Sequence, residues 1–164
     1  MRGKWAAGIE PRNFTWVFRG ALAVSERPGG STLVHRRVRR DEELIWLKAQ
    51  GVTRMISILP DVQSGVAHDD HGITAINYPL TDLDEVATLM TAIFTDVKTA
   101  TAKGDVVLLH GDDVSDRLLG LIAAYIAWDG RVATDTIAIT AVERLFKRSI
   151  GPEGREMVRL VPEA

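Results

Sequence analysis

The chain has 164 residues and no cysteine, with 46% hydrophobic and 26% charged residues. That length suits a single domain burying about 70% of its unfolded surface, and the balance excludes wholesale disorder, collagen-like repeats and a disulfide scaffold. The absence of cysteine also removes thiolate metal sites and thiol nucleophiles.

A net charge of −2 conceals an asymmetry: residues 1–40 carry nine Lys/Arg against two acids, whereas residues 41–164 carry eleven against twenty. The run His35, Arg36, Arg37, Arg39, Arg40 concentrates the positive charge. It reads as a basic N-terminal arm that meets an acidic surface, of its own chain or of a partner. Nucleic acid is the weaker alternative, because no aromatic interleaving accompanies the run. No apolar stretch reaches the roughly 18 residues of a membrane span, and Met1 to Glu10 lacks the apolar stretch of a secretory signal, so a cytoplasmic protein without membrane contact is expected.

In chain order, Thr15–Phe18 and Ala21–Val24 read as short strands, followed by a Pro/Gly loop through Pro28, Gly29 and Gly30. Asp41–Gln50 reads as a helix with acids in its first turn and Gly51 to end it. Arg54–Leu59 is an apolar strand stopped by Pro60, and a polar loop with Asp69, Asp70 and His71 leads to a strand over Ile73–Tyr78. Val86, Leu89, Met90, Ile93, Phe94 and Val97 recur at helical spacing, predicting a helix from about Asp84 to Ala102. Asp105–His110 is a continuous apolar strand of the kind found at the centre of a sheet buried on both faces. Leu118–Trp128 is apolar nearly all round and predicts a buried helix; Asp135–Arg148 predicts another, and a last helical turn falls near Arg155–Arg159. Trp16, Trp46 and Trp128 are expected in cores, and Trp5 is a candidate anchor onto a partner.

Strands alternating with helices imply an α/β fold with a largely parallel sheet, whose ligands sit beyond the carboxyl ends of the strands. The loop from His110 to Arg117 lies there. Its sequence, His110-Gly111-Asp112-Asp113-Val114-Ser115-Asp116-Arg117, resembles the phosphate loop of the protein tyrosine and dual-specificity phosphatases, whose signature is His-Cys, five residues, Arg. Arg19-Gly20-Ala21-Leu22-Ala23-Val24-Ser25-Glu26-Arg27-Pro28 is similar to the opening strand and turn of small bacterial members. Leu47 to Leu59 is similar to their helix, glycine and strand. Tyr78-Pro79-Leu80-Thr81-Asp82 resembles their general-acid segment, and Phe146–Val158 their closing helical region. The resemblance implies a three-layer phosphatase-like α/β fold, a central, mostly parallel sheet of about 4–5 strands flanked by helices. It implies one domain over residues 13–161, with residues 1–40, the basic arm and first strands, part of it.

In that family a cysteine thiolate attacks phosphorus, loop N–H groups and the arginine hold the phosphoryl oxygens, and an aspartic acid protonates the leaving group. Here the nucleophile position is Gly111, the loop glycine falls on Val114, and position 118 is Leu where the family usually has Ser or Thr. A β-branched residue at positive φ is a strained choice, so the loop is expected to have changed shape. Asp112, Asp113 and Asp116 add three carboxylates around a pocket meant for a dianion. At an effective dielectric near 20, each at 6 Å from a phosphate charge costs about 3 kcal/mol. The resemblance therefore implies a catalytically inactive member, similar to the STYX type in which glycine also replaces the cysteine. It implies no cofactor, a protein partner or regulatory role, and at most weak phospho-ligand binding by Gly111 to Arg117.

Each site residue also has a structural reading. Arg117 is expected to form an internal ion pair, Asp82 to cap the helix near Asp84, and His110 to be buried and hydrogen-bonded. Two alternatives stay open. One is an enzyme that reuses the pocket, with Asp113 as base or a divalent cation on Asp112, Asp113, Asp116 and His110. The other is a residual phosphatase acting without cysteine; a Ser115 nucleophile is weaker still, with no histidine spaced to activate it.

Overall fold

Four-residue apolar runs ending in a polar residue build the centre of the sheet. In the computed structural model, which describes residues 8–60, 66–81 and 85–162, they become β2 (Leu22–Ser25), β3 (Arg54–Ser57) and β6 (Val107–His110). With β1 (Thr15–Phe18), β4 (His68–Asp70) and β5 (Ile73–Asn77) they form a sheet in the order β1-β2-β6-β3-β5-β4. The pairs β2/β6, β6/β3 and β3/β5 are parallel; β1 and β4 add antiparallel edges. Alternate residues of the central strands are buried on both faces, as a parallel arrangement demands.

Five helices accompany these strands among the described residues: α1 (Arg37–Ala49), α2 (Val86–Ala102), α3 (Asp116–Trp128), α4 (Asp135–Phe146) and α5 (Pro152–Arg159). The chain clusters into two units, one of residues 1–79 and 97–114, the other of 80–96 and 115–164. The first holds the sheet, α1 and the end of α2. Its core joins Ala23, Met55, Ala75 and Leu108 of the sheet to Leu44 and Leu47 of α1, with Phe14, Trp16 and Trp46 packed at the margin. The second unit is helical. Phe94, Tyr125 and Trp128 form a three-ring cluster there, with centroids 5.6 to 6.2 Å apart. No helix among the described residues is long and apolar enough to cross a membrane.

The α/β class and the mostly parallel sheet are as the periodicities predict, but the sheet has six strands, not four or five. The unpredicted one is β4, whose His68-Asp69-Asp70 reads as loop because no β-branched residue marks it. It pairs with β5 across His71-Gly72, both at positive φ (54° and 84°), the geometry of a two-residue hairpin turn. Charged residues on such an edge also discourage pairing with a foreign strand.

Helix α1 begins at Arg37, four residues before the predicted start, so the acids expected in its first turn lie in its second. Its start is obscured because Arg36 makes no side-chain cap and the first turn is basic, against the helix dipole. An i,i+4 pair compensates: Arg39 Nε donates to Glu43 at 2.6 Å. Glu43 is only 1% exposed and also accepts from the Gly29 N–H at 2.7 Å. The basic run is thus partly absorbed into the first unit, since Arg40 is bound to Asp70. Arg36 and Arg37 stay exposed and His35 is half-buried. Trp5 and the expected cap Asp82 lie outside the described residues.

Candidate functional site

β6 delivers its last residue, His110, into the interior, 4% exposed. Its Nδ1 lies 3.3 Å from the carbonyl of Gly111. Burial, with the nearby charges of Arg27 and Arg40 adding to it, lowers its pKa to about 4. The imidazole is therefore neutral at pH 7, with Nδ1–H donating to Gly111 and Nε2 an acceptor.

Gly111 is buried at the nucleophile position. A Cβ there would meet the Asp113 carbonyl at 3.3 Å and Ile58 Cγ1 at 3.4 Å, so space for a small side chain exists. None of the residues from Gly111 to Asp116 has positive φ. The expected strain at Val114 is therefore absent: Val114 has an ordinary backbone and a buried side chain, 8% exposed. No residue of this stretch makes the left-handed turn that a glycine permits.

Each aspartate has its own surroundings. Asp112 Oδ1 accepts from both the N–H and the hydroxyl of Thr32, each at 2.7 Å, and the Asp112 carbonyl lies 3.5 Å from the Arg27 N–H. Asp112 thus ties the 110–117 loop to the loop after β2. Asp113 is exposed. In the helical unit, Ser115 caps α3, its hydroxyl oxygen accepting from the Leu118 N–H at 3.1 Å. That is a structural use of the only hydroxyl in the loop. Asp116 accepts from the N–H groups of Gly151 and of Gly154, the latter at 2.7 Å, which fastens its carboxylate to the start of α5. Arg117 Nε donates to Glu153 Oε2 at 2.9 Å. The ion pair expected of Arg117 is present, but its partner lies on α5 and not in the loop. Among the described residues no three His, Asp or Glu side chains converge as metal ligands. Of the cation reading's residues Asp112, Asp113, Asp116 and His110, two carboxylates, Asp112 and Asp116, accept from peptide N–H groups.

Neither Thr32 nor Glu153 is legible as a partner, because 80 and 36 residues separate them from Asp112 and Arg117. The sequence does carry one signal of a polar strand edge: β2, β3, β5 and β6 each end in a polar residue, Ser25, Ser57, Asn77 and His110.

No family model matches the sequence, and no curated protein matches it. The fold has clear counterparts among solved structures. Kinase associated phosphatase, with its catalytic-site cysteine changed to serine, superposes with a TM-score of 0.68 at 16% identity, covering 90% of this chain and 92% of that one. Tk-PTP in its active form gives 0.67 at 16% identity over 90% and 95%. Human tyrosine phosphatase-like serine/threonine/tyrosine-interacting protein gives 0.62 at 15% identity over 90% and 92%. Coverage is nearly complete in both directions, and the chain has the fold of the protein tyrosine and dual-specificity phosphatases.

Proposed function

We propose that this chain is a catalytically inactive protein of the phosphatase fold that works by binding, as a protein-interaction or regulatory subunit. The observation that carries the reading is Gly111. Position 111 offers no nucleophile, and no cysteine elsewhere can replace it. The surroundings support it: the loop lacks a left-handed residue, Ser115 caps a helix, and Arg117 is engaged by Glu153. One counterpart in fold carries a name describing it as phosphatase-like and as an interacting protein, which favours the same reading here. Any phospho-ligand would rest on Gly111 to Arg117 and bind weakly, because Asp113 is an exposed carboxylate in that stretch.

The test is turnover of p-nitrophenyl phosphate and phosphotyrosine peptides by the purified chain, together with its co-purification from the native cell. No turnover and one stoichiometric protein partner are expected. Turnover that Arg117→Ala abolishes would overturn the reading.

A further inference from the structure

Four polar residues stand in register across four adjacent strands: Ser25 opposite His110, His110 opposite Ser57, and Ser57 opposite Asn77. Two residues earlier the same strands align Ala23, Leu108, Met55 and Ala75, all members of the core cluster that includes α1. Side chains repeat with period two along a strand, so the polar row shares the face of the apolar row. That face changes from apolar to polar in a single step, at the carboxyl ends of the strands. Ser25, Asn77 and His110 are 0%, 5% and 4% exposed. Part of the row is satisfied locally: Ser25 Oγ donates to the Glu26 carbonyl at 2.8 Å, Ser57 Oγ accepts from the Leu59 N–H at 3.1 Å, and His110 Nδ1 donates to the Gly111 carbonyl, which leaves Nε2 of His110 as an acceptor.

A cleft of about 140 Å³ opens against Ser57, Asn77 and His110, with Met55, Leu59 and Ala75 as apolar surface. Arg27, Arg40, Asp70 and His68 also line it. Its charges are unequally committed. Asp70 accepts from both Nη atoms of Arg40 and lies 2.8 Å from His71 Nδ1, so Arg40 and Asp70 neutralise each other. Arg27 reaches only the Thr32 hydroxyl, at 3.3 Å, and pairs with no carboxylate among the described residues. Among the described residues the cleft therefore presents one uncommitted guanidinium, an imidazole nitrogen that accepts, and an apolar wall. Open α/β sheets bind ligands at this end, in pockets of this composition.

We propose that this cleft binds a small aliphatic hydroxycarboxylate, its carboxylate on Arg27, its hydroxyl donating to His110 Nε2 and its carbons on Met55, Leu59 and Ala75. A monoanion matches the one uncommitted guanidinium among the described lining residues, whereas a phosphate dianion would keep a net negative charge there, Arg40 being already engaged by Asp70. The site shares His110 with the start of the 110–117 loop but uses no side chain from Gly111 to Arg117, so it holds whether or not that loop is active.

The test is an amide NMR titration of the full chain at pH 7 with 2-hydroxybutyrate, butyrate and inorganic phosphate in parallel. 2-Hydroxybutyrate is expected to give saturable shifts at Ser57, Asn77 and Gly111, and to bind more tightly than butyrate. A charge-assisted contact to Arg27 implies about tenfold or greater weakening in Arg27→Gln, with partial recovery in Arg27→Lys and no change in Lys103→Gln, an exposed residue that does not line the cleft. Binding unchanged in Arg27→Gln, or no saturation by the hydroxy acid, would overturn the proposal. Phosphate binding that Arg117→Ala removes, without hydroxy-acid binding, would also overturn it and move the anion site to the loop.

Discussion

The guanidinium of Arg117 donates from Nε to Oε2 of Glu153 over 2.9 Å, so the last residue of the 110–117 loop is ion-paired inside the helical unit. Both side chains are partly exposed, 32% and 59%, and such a pair contributes at most about 1 kcal/mol. It orients Arg117 without locking it. The clearest departure from the phosphatase signature is therefore the glycine at position 111.

Restoring the thiol separates these causes. Gly111→Cys should fold, since a Cβ meets its nearest neighbours at 3.3 and 3.4 Å. It should remain without measurable turnover of p-nitrophenyl phosphate, because no residue of the loop adopts the left-handed turn that aims N–H groups at a phosphate. Robust turnover that is lost on adding Arg117→Ala would mean the cradle survives.

Asp116 should be a stability residue. Its carboxylate accepts from two N–H groups at the start of α5, and Asp116→Ala leaves both without it, for a loss of about 2–4 kcal/mol. Asp116→Asn keeps one acceptor and should lose about half of that. Urea midpoints measure both; equal stability of wild type and Asp116→Ala would remove the brace.

Gly120 and Gly154 let α3 and α5 approach closely. A Cβ on Gly120 would come within 2.4 Å of the Gly154 Cα and carbonyl oxygen, and one on Gly154 within 2.4 Å of Ile150 Cγ2. Alanine normally favours a helix interior by up to about 1 kcal/mol over glycine. Here the clash should win, and either Gly→Ala change should destabilise by about 1–3 kcal/mol. A raised urea midpoint in either variant would contradict the close approach.

Acid should weaken the protein in a defined window. His110 has its pKa lowered from 6.5 to about 4 in the folded state. Between those values the unfolded chain binds the extra proton, so stability rises with pH: the contribution is fully present above 6.5 and is lost as pH falls toward 4. At about 1.4 kcal/mol per pH unit this amounts to roughly 3 kcal/mol. Asp70 acts lower. Burial alone would raise its pKa, but bonds from Arg40 and His71 bring it below 3.8, so its stabilisation is lost only as pH falls below that value. His110→Asn should flatten the profile between pH 4 and 6.5; an unchanged slope would place the titration elsewhere.

The strands and helices built on strong apolar periodicity were readable within a few residues, because burial of one face leaves its period in the sequence. β4 was not, since three polar residues become a strand only when β5 and a two-residue turn are there to pair with. The start of α1 was missed for a related reason: an arginine-rich first turn carries no helix signal until Arg39 meets Glu43 and Arg40 meets Asp70.

At the loop, residue types alone exclude a thiol nucleophile. Gly111 has no nucleophile and no cysteine exists to replace it, whatever the fold. The partners of the remaining residues come from the fold: Asp112 binds Thr32, Asp116 binds the start of α5, Arg117 binds Glu153, and Ser25, His110, Ser57 and Asn77 align into one polar row. The type of a side chain states which bonds it can make. Its partner is chosen by strand register and helix placement, which bring together residues far apart in the chain.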